Sequence, residues 1–549
     1  MLTSIRIENF KAFHDTSRID LPSITLLAGV NSAGKSSLIQ ALLLLKQTLE
    51  SGPSQALNPG KGPLLEQSLG DNFNDFVFGR PSLEAARLTY HLAFTYGLQD
   101  DGDILDELGA LVADVEIEDV ANDFLSREVV VTFGWGAFGH RGRPTIRVTD
   151  LEIAVSTVQQ PLVTLRMQPS KSGGSYKIWS TDKCHPALQD LNYGQLEVDG
   201  LSHFLPDSLI ISREQLSLFG KDVPPSFARL FRGIFAAVRR DLSEQIRYLN
   251  SFRIPPARVY TTGQTVGASL DPNGGNFAQV LWRFRDELVR FAQPDGRLDE
   301  RPLPDMVAQI LGETLQLGQG VRVQPVGERK DILEIQVDTL GAAPVPVTLA
   351  DVGLGYNQVL PIVVQGLLTP PGALVILEQP EIHLHPKVQA RLIDFYFGLA
   401  RAGRRVLVET HSSHMVDHLC LAMVKDRTNW LAEHTGILFI HPPDEHNLSA
   451  RIEPVRIDPY GQILNWPSHF LPDTAALYEE ILKEGFAKDQ QSNNFRSRDS
   501  GIVPLRQVFI EDDAHCLLEV LGRLSAFLVD LVYDLHSDLE SLTSVGLLR

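Results

Sequence analysis

The chain has 549 residues, with 49 Lys and Arg against 68 Asp and Glu, a formal net charge of −19 and a sequence pI near 5.3. Hydrophobic residues make up 43% and charged residues 21%, the composition of a folded protein and not of a disordered one. Such acidity excludes a chain coated in nucleic acid or lying on an anionic membrane, while leaving room for a local basic groove. Three scattered cysteines, Cys184, Cys420 and Cys516, offer neither a disulfide framework nor a zinc knuckle. The opening MLTSIRIENFKAF has no apolar signal core, and no window holds 18 uninterrupted apolar residues. A cytoplasmic chain without membrane association is therefore expected.

In chain order, residues 2–28 read as two strands, the first alternating around Ile5 and Ile7, the second apolar from Ile24 to Leu27. A glycine loop follows, then an apolar helix over 36–49 and a Gly/Pro/Asn-rich stretch over 50–82. Residues 1–84 are thus assigned to the N-terminal part of a split α/β head. Strand-like runs at 86–96, 128–133, 145–155, 162–167 and 175–178 predict an antiparallel β lobe over 85–220. Helical patterns at 226–238, 242–249, 276–292 and 304–314 predict a helical insertion over 221–320, with a loop at 253–275. Strands at 321–348, alternating strand and helix at 357–410, and strand-like pieces at 437–465 close the α/β head over 321–470. A helical tail is expected over 471–549. Within it Leu517, Leu521, Leu524, Leu528, Leu531 and Leu535 form a heptad seam, with Leu542 one heptad further. Such a seam docks on its own domain, assembles subunits or holds a partner.

The strongest chemical signal is Gly29-Val-Asn-Ser-Ala-Gly34-Lys35-Ser36, a G-x-x-x-x-G-K-[ST] match placed after an apolar strand and before an apolar helix. Glycines let backbone N–H groups curl around phosphate oxygens, and the helix N-terminus favours negative charge. Lys35 would reach the β- and γ-phosphates and the Ser36 hydroxyl would ligate Mg²⁺. Gly29, Asn31, Ser32, Gly34 and Ser37 complete the expected cradle for ATP. Downstream, the apolar run Leu374–Leu377 ends in Glu378, the placing of a carboxylate that holds the Mg²⁺ shell in P-loop proteins. A second apolar run, Arg405 to Val408, ends in Glu409-Thr-His-Ser412. Parallel strands ending on one edge would bring Lys35, Glu378 and His411 together.

These residues carry a resemblance. Ile5-Arg-Ile-Glu-Asn-Phe-Lys-Ala-Phe13, the glycine loop, Glu378-Gln-Pro-Glu-Ile-His-Leu-His-Pro386 and Glu409-Thr-His-Ser412 resemble the ABC-type ATPases of the SMC/RecF/OLD class. More narrowly, they are similar to the compact ATPases of prokaryotic anti-phage systems such as Septu (PtuA-like). Asp351-Val-Gly-Leu-Gly-Tyr-Asn-Gln358 stands where that class carries its signature loop, and the stretch 457–467 resembles one that follows the ATPase core. The resemblance implies a homodimer or higher oligomer that sandwiches ATP, with Gly353 and Gly355 approaching the γ-phosphate of the opposite subunit. It also implies control of a separately encoded nuclease in anti-phage defence. The alternative is a DNA repair or recombination ATPase acting on DNA ends, and a third is a nucleotide-stabilised scaffold.

Two departures from the class stand out. Glu378-Gln379 replaces the usual Asp-Glu, and glutamine orients a water without taking its proton. Gly353 stands where a serine is usual. Gln379, Glu381 as a substitute base, and His411 form the expected catalytic set, although a regular turn would point Glu381 elsewhere. Slow hydrolysis, with ATP acting as a switch, is the expectation. His383-x-His385 and His411-x-x-His414 invite a transition-metal reading, but no cysteine joins them. Arg229, Arg232, Arg239, Arg240, Arg247, Arg253, Arg258, Arg283, Arg285 and Arg290 interleave with Phe231, Phe235, Phe252, Trp282 and Phe284. Residues 229–290 therefore read either as a nucleic-acid contact or as a solvated helical face. No heptad array fills the stretch between Ser36 and Asp351, which separates this chain from long-armed SMC proteins. His441 and His446-Asn447 lack the flanking ligands of a His/Asn nuclease, so no effector of the chain's own is expected.

Overall fold

The N-terminal alternation folds into β1 (Leu2–Phe10), β2 (Phe13–Asp15) and β3 (Ile19–Asp20), followed by the apolar β4 (Ile24–Gly29) and α1 (Lys35–Leu49). The computed structural model describes residues 1–97, 106, 110, 126–138, 145–157, 161–170, 176–180, 196–198, 201–206 and 225–465, apart from 53–55, 66, 71, 263–266, 319, 328, 339–344, 427, 459–460 and 462. The described residues all fall within one compact unit, Met1–Leu471. The expected helical tail and its leucine seam lie outside the described residues.

Long antiparallel strands come next: β5 (Arg87–Gly97), β6 (Ser126–Phe138), β7 (Thr145–Thr157), β8 (Pro161–Pro169), β9 (Tyr176–Ser180) and β10 (Leu196–Val198). They form a nine-stranded sheet in the order β10-β9-β8-β7-β6-β5-β1-β2, with β3 also on β1. The strands expected at the start of the head thus belong to the antiparallel lobe up to β3, and only β4 enters the second sheet. Helix α2 (Pro225–Ser243) leads into β11 (Ile246–Leu249) and β12 (Tyr260–Thr261), then α3 (Phe277–Arg283). A hairpin of β13 (Leu288–Ala292) and β14 (Leu298–Pro302) precedes α4 (Leu303–Gln309), β15 (Gly320–Val326), β16 (Arg329–Asp338) and β17 (Pro346–Thr348). The rest alternates: α5 (Leu354–Leu368), β18 (Leu374–Glu378), α6 (Pro386–Arg401), β19 (Arg405–Glu409), α7 (Ser413–Lys425), α8 (Trp430–His434), β20 (Thr435–His441) and β21 (Arg451–Val455).

The second sheet is six-stranded, ordered β11-β18-β19-β4-β20-β21, and parallel except for β21. Its strands show the double burial that parallel sheets require. Leu27, Leu374, Ile376 and Leu407 face one core together with α1, α2 and the antiparallel sheet. Leu26, Ala28, Val375, Leu377, Val406 and Val408 face the other core, with α5 and α6. Two-residue periodicity along each strand makes this division. Helix α1 is accordingly buried nearly all round, sandwiched between the sheets, with the Tyr90 hydroxyl donating to the Ala41 carbonyl at 3.3 Å.

The expected helical insertion over 221–320 is mixed. Residues 242–249 are not one helix: α2 stops at Ser243, and β11 pairs in parallel with β18, Ile246 against Leu374 and Leu249 against Leu377. Ile246 and Tyr248 enter one core and Leu249 the other, so pairing outweighed a short helical pattern. Residues 276–292 likewise split into α3 and β13. Val289 and Phe291 alternate inward along β13, and Arg290 pairs across the hairpin with Glu300 at 3.1 Å. No helix among the described residues is long and apolar enough to cross a membrane.

Candidate nucleotide site

Strand β4 ends at Gly29, where φ is 150° and an added Cβ would lie 2.6 Å from the Ile440 carbonyl oxygen of β20. Gly34 caps α1 in the left-handed region at φ 112°, with Ala12 and Phe13 within 3.3 Å of where a Cβ would stand. Both glycines are demanded by the turn. No side chain caps α1 and no acidic residue occupies its first turn, which leaves the backbone N–H groups for an anion. Asn31 and Ser32 lie exposed at the loop tip, and Ser37 donates its N–H to the Gly34 carbonyl at 3.0 Å. Lys35 is buried, its Nζ donating to the carbonyls of Gly29 (2.9 Å) and Val30 (2.8 Å). Burial pulls its pKa down, while the charges of Glu409 and Glu381 pull it up.

The carboxylate that meets the Ser36 hydroxyl is Glu409, at 3.2 Å to Oε1 and 3.1 Å to Oε2. Strand β19 lies between β4 and β18, with Glu409 beside Leu27 on one side and Glu378 on the other. Glu378, the carboxylate expected with Ser36 in the Mg²⁺ shell, sits in register with Glu409, a strand further from the loop. The same signal marked both residues, an apolar strand ending in a carboxylate, but strand order decides which one adjoins the loop. Burial raises the Glu409 pKa against the opposing Lys35 charge and the Ser36 hydroxyl, and Glu381 adds to the rise. A Ser36 hydroxyl beside one carboxylate fits Mg²⁺, which takes one or two carboxylates and completes its shell with phosphate and water oxygens.

Glu381 points into the site, contrary to the expectation from a regular turn. Gln379 takes a left-handed φ of 43° and donates its N–H to the Glu409 carbonyl at 2.8 Å, which redirects the chain after β18. Glu381 is buried, and its Oε1 accepts the His411 N–H at 2.7 Å. Burial pushes its pKa up against that bond, the Thr410 hydroxyl and the charge of Arg253. The His411 imidazole is pushed down by burial and by repulsion from Lys35, so the neutral ring is favoured. The structure therefore brings Lys35, Ser36, Glu409, Glu381 and His411 to one sheet edge.

Gly353 is the N-cap of α5, with φ −59° and nothing within 4 Å of an added Cβ; at Gly355 the nearest atom is a Leu384 methyl at 3.4 Å. Packing within the chain requires glycine at neither position. His385 caps α6, its Nδ1 accepting the Lys387 N–H at 3.3 Å, and among the described residues no group of three or more His, Cys, Asp or Glu is arranged to hold a metal ion. The arginine-rich stretch 229–290 is not one basic face. Phe231 and Phe235 are core residues and Arg253 is buried. Arg258 pairs with Asp351, Arg290 pairs with Glu300, and Arg285 lies over the Trp282 ring at 4.2 Å.

Residues 1–82 and 301–416 match the family described as AAA ATPase domain. No curated protein matches. Among solved structures the chain is similar to the SMC head bound to the C-winged helix domain of ScpA, at 10% identity over 83% of this chain and 98% of that one, with a TM-score of 0.39. It is also similar to the SMC head domain from Thermotoga maritima (11%, 83% and 99%, TM-score 0.33). A third is the Smc head domain with an extended coiled coil bound to the C-terminal domain of ScpA derived from Pyrococcus furiosus (10%, 83% and 96%, TM-score 0.32). The matched stretches contain every residue gathered at the sheet edge. The family match is thus split between two distant parts of the chain, which the fold brings together around the glycine loop.

Proposed function

We propose that this chain is a switch ATPase that binds ATP with Mg²⁺, pairs with a second copy around the nucleotide, and regulates a separately encoded nuclease in prokaryotic anti-phage defence. The carrying observation is the convergence of Lys35, Ser36, Glu409, Glu381 and His411 at the mouth of the glycine loop. Lys35 would leave its loop carbonyls for the β- and γ-phosphates, and Ser36 with Glu409 would hold the cation, Glu378 standing one strand away. The bare N-terminus of α5 supports pairing, since Gly353 leaves room for a phosphate brought by another copy. Gln379 orients a water without accepting its proton, and Glu381 is engaged by the His411 N–H; both favour slow turnover. The defence role rests on the resemblance carried by residues 378–386 and 409–412.

The test is ATP turnover and light scattering on the full chain. Expected are a rate well below about 10 s⁻¹ and Mg²⁺- and ATP-dependent self-association, with phage resistance appearing only when a neighbouring nuclease gene is co-expressed. Turnover that rises more than about tenfold with DNA ends would replace this reading with the repair one.

A further inference from the structure

Helix α5 is buried along most of its length, yet it carries three buried amides, Asn357, Gln358 and Gln365. An unanswered buried amide is costly, and all three are answered by one distant stretch. Asn357 Nδ2 donates to the Ile254 carbonyl, Gln358 Oε1 accepts from Arg253 Nη1 at 2.9 Å, and Gln365 Oε1 accepts the Leu270 N–H at 2.7 Å. Ahead of the helix, Arg258 grips Asp351 with two bonds of 2.9 and 2.7 Å. These partners lie outside the two stretches that match the ATPase domain, yet they bind directly to α5 within it.

Arg253 reaches in two directions. One nitrogen holds Gln358 on α5, and Nη2 donates to the Glu378 carbonyl at 3.3 Å, where β18 ends and the turn to Glu381 begins. The guanidinium is buried and acts electrostatically on Glu381 and Glu378. Strand β11, which ends four residues before it, is paired with β18 and fixes where the arginine starts.

We propose that Arg253 is a positioning residue that couples the nucleotide site to the N-terminus of α5, by bridging Gln358 and the Glu378 carbonyl so that a shift in turn 379–381 is transmitted to residues 351–358. The proposal rests on the ATP-binding reading above. A planar fork spans two acceptors in fixed directions, whereas a lysine ammonium keeps the charge and loses the span.

The experiment compares the full-length protein with Arg253→Lys and Gln358→Met, using a fluorescent ATP analogue, steady-state turnover and hydrogen exchange at residues 350–358 with and without Mg²⁺ and ATP. It is run at a concentration where scattering shows single copies. The wild type should bind the analogue and change its exchange at 350–358. Both variants should bind it within about threefold of wild type, lose the exchange response, and lower kcat about tenfold at nearly unchanged KM. Gln358→Met leaves the guanidinium in place and keeps the test sound if Arg253→Lys fails to fold. Either folded variant retaining both the exchange response and the turnover overturns the proposal, as does a wild type that binds nucleotide without any change at 350–358. A wild type that binds no nucleotide is a different result: it removes the ATP reading itself, and this inference with it.

Discussion

Helices α1 and α5 both start at glycines and both run buried through the same unit, but the fold treats those glycines differently. At Gly29 a methyl group would meet a backbone oxygen at 2.6 Å, and Gly34 sits at φ 112°. At Gly353 the backbone is ordinary and a methyl would meet nothing within 4 Å. The first pair shapes a loop the chain needs for its own folding. At the second, the fold itself places no demand on the missing side chain. A glycine-rich turn in a sequence therefore has two meanings, and only the surrounding atoms separate them.

The comparison is most severely tested at the lysine that only α1 possesses. Lys35→Ala should lower affinity for an ATP analogue by about 30–100-fold, the loss of a charged hydrogen-bonding partner to phosphate, as read by fluorescence titration. The glycines come next. Gly29→Ala should reduce unfolding free energy by at least about 2 kcal/mol, since backbone must move to admit the methyl. Gly353→Ala should cost less than about 1 kcal/mol while weakening ATP-dependent pairing. Equal stability losses in a denaturant titration would erase the distinction between the two helix starts.

A smaller effect concerns Glu381, whose carboxyl is held above its ordinary value of 4.5 by burial. Such a group contributes stability that is complete below its unfolded pKa and is lost as pH rises through the folded one. Glu381→Gln should remove that loss, so its melting temperature should gain on wild type between pH 4.5 and pH 8; parallel curves would contradict the buried-carboxylate assignment. His411, held below 6.5, works in the opposite sense and gives the smallest expected change. Its stabilising share is present above pH 6.5 and fades on acidification, and His411→Gln should flatten that acid limb.

The glycine loop was legible because its chemistry is local: seven residues of spacing specify the turn, the lysine and the hydroxyl. The carboxylate beside Ser36 was not, because it lies 373 residues away and its place depends on which strand inserts next to β4. The sequence singles out Glu378 for the Mg²⁺ shell, and the strand order sets Glu409 beside Ser36 with Glu378 one strand further along the same edge. The orientation of Glu381 was hidden for a similar reason, since it turns on one left-handed residue, Gln379. Short apolar runs such as 246–249 read equally as helix or strand, and pairing with β18 decided the matter. Arg253 read as one member of a basic stretch; only its burial between α5 and β18 separates it from its neighbours.

The order β19-β4-β20 has a consequence for how the chain is made. The strand at the centre of the parallel sheet is synthesised first, and both strands that flank it arrive close to 400 positions later. At the usual pace of about 5–20 residues per second, β4 and the leucine-rich α1 emerge from the ribosome roughly 20–80 s before their neighbours exist. The antiparallel strands come off in the meantime and can cover one side of that helix, because β1, already made, pairs with β5. The antiparallel sheet, which packs on α1 in the same core, is thus available to cover that apolar helix before its parallel neighbours are made.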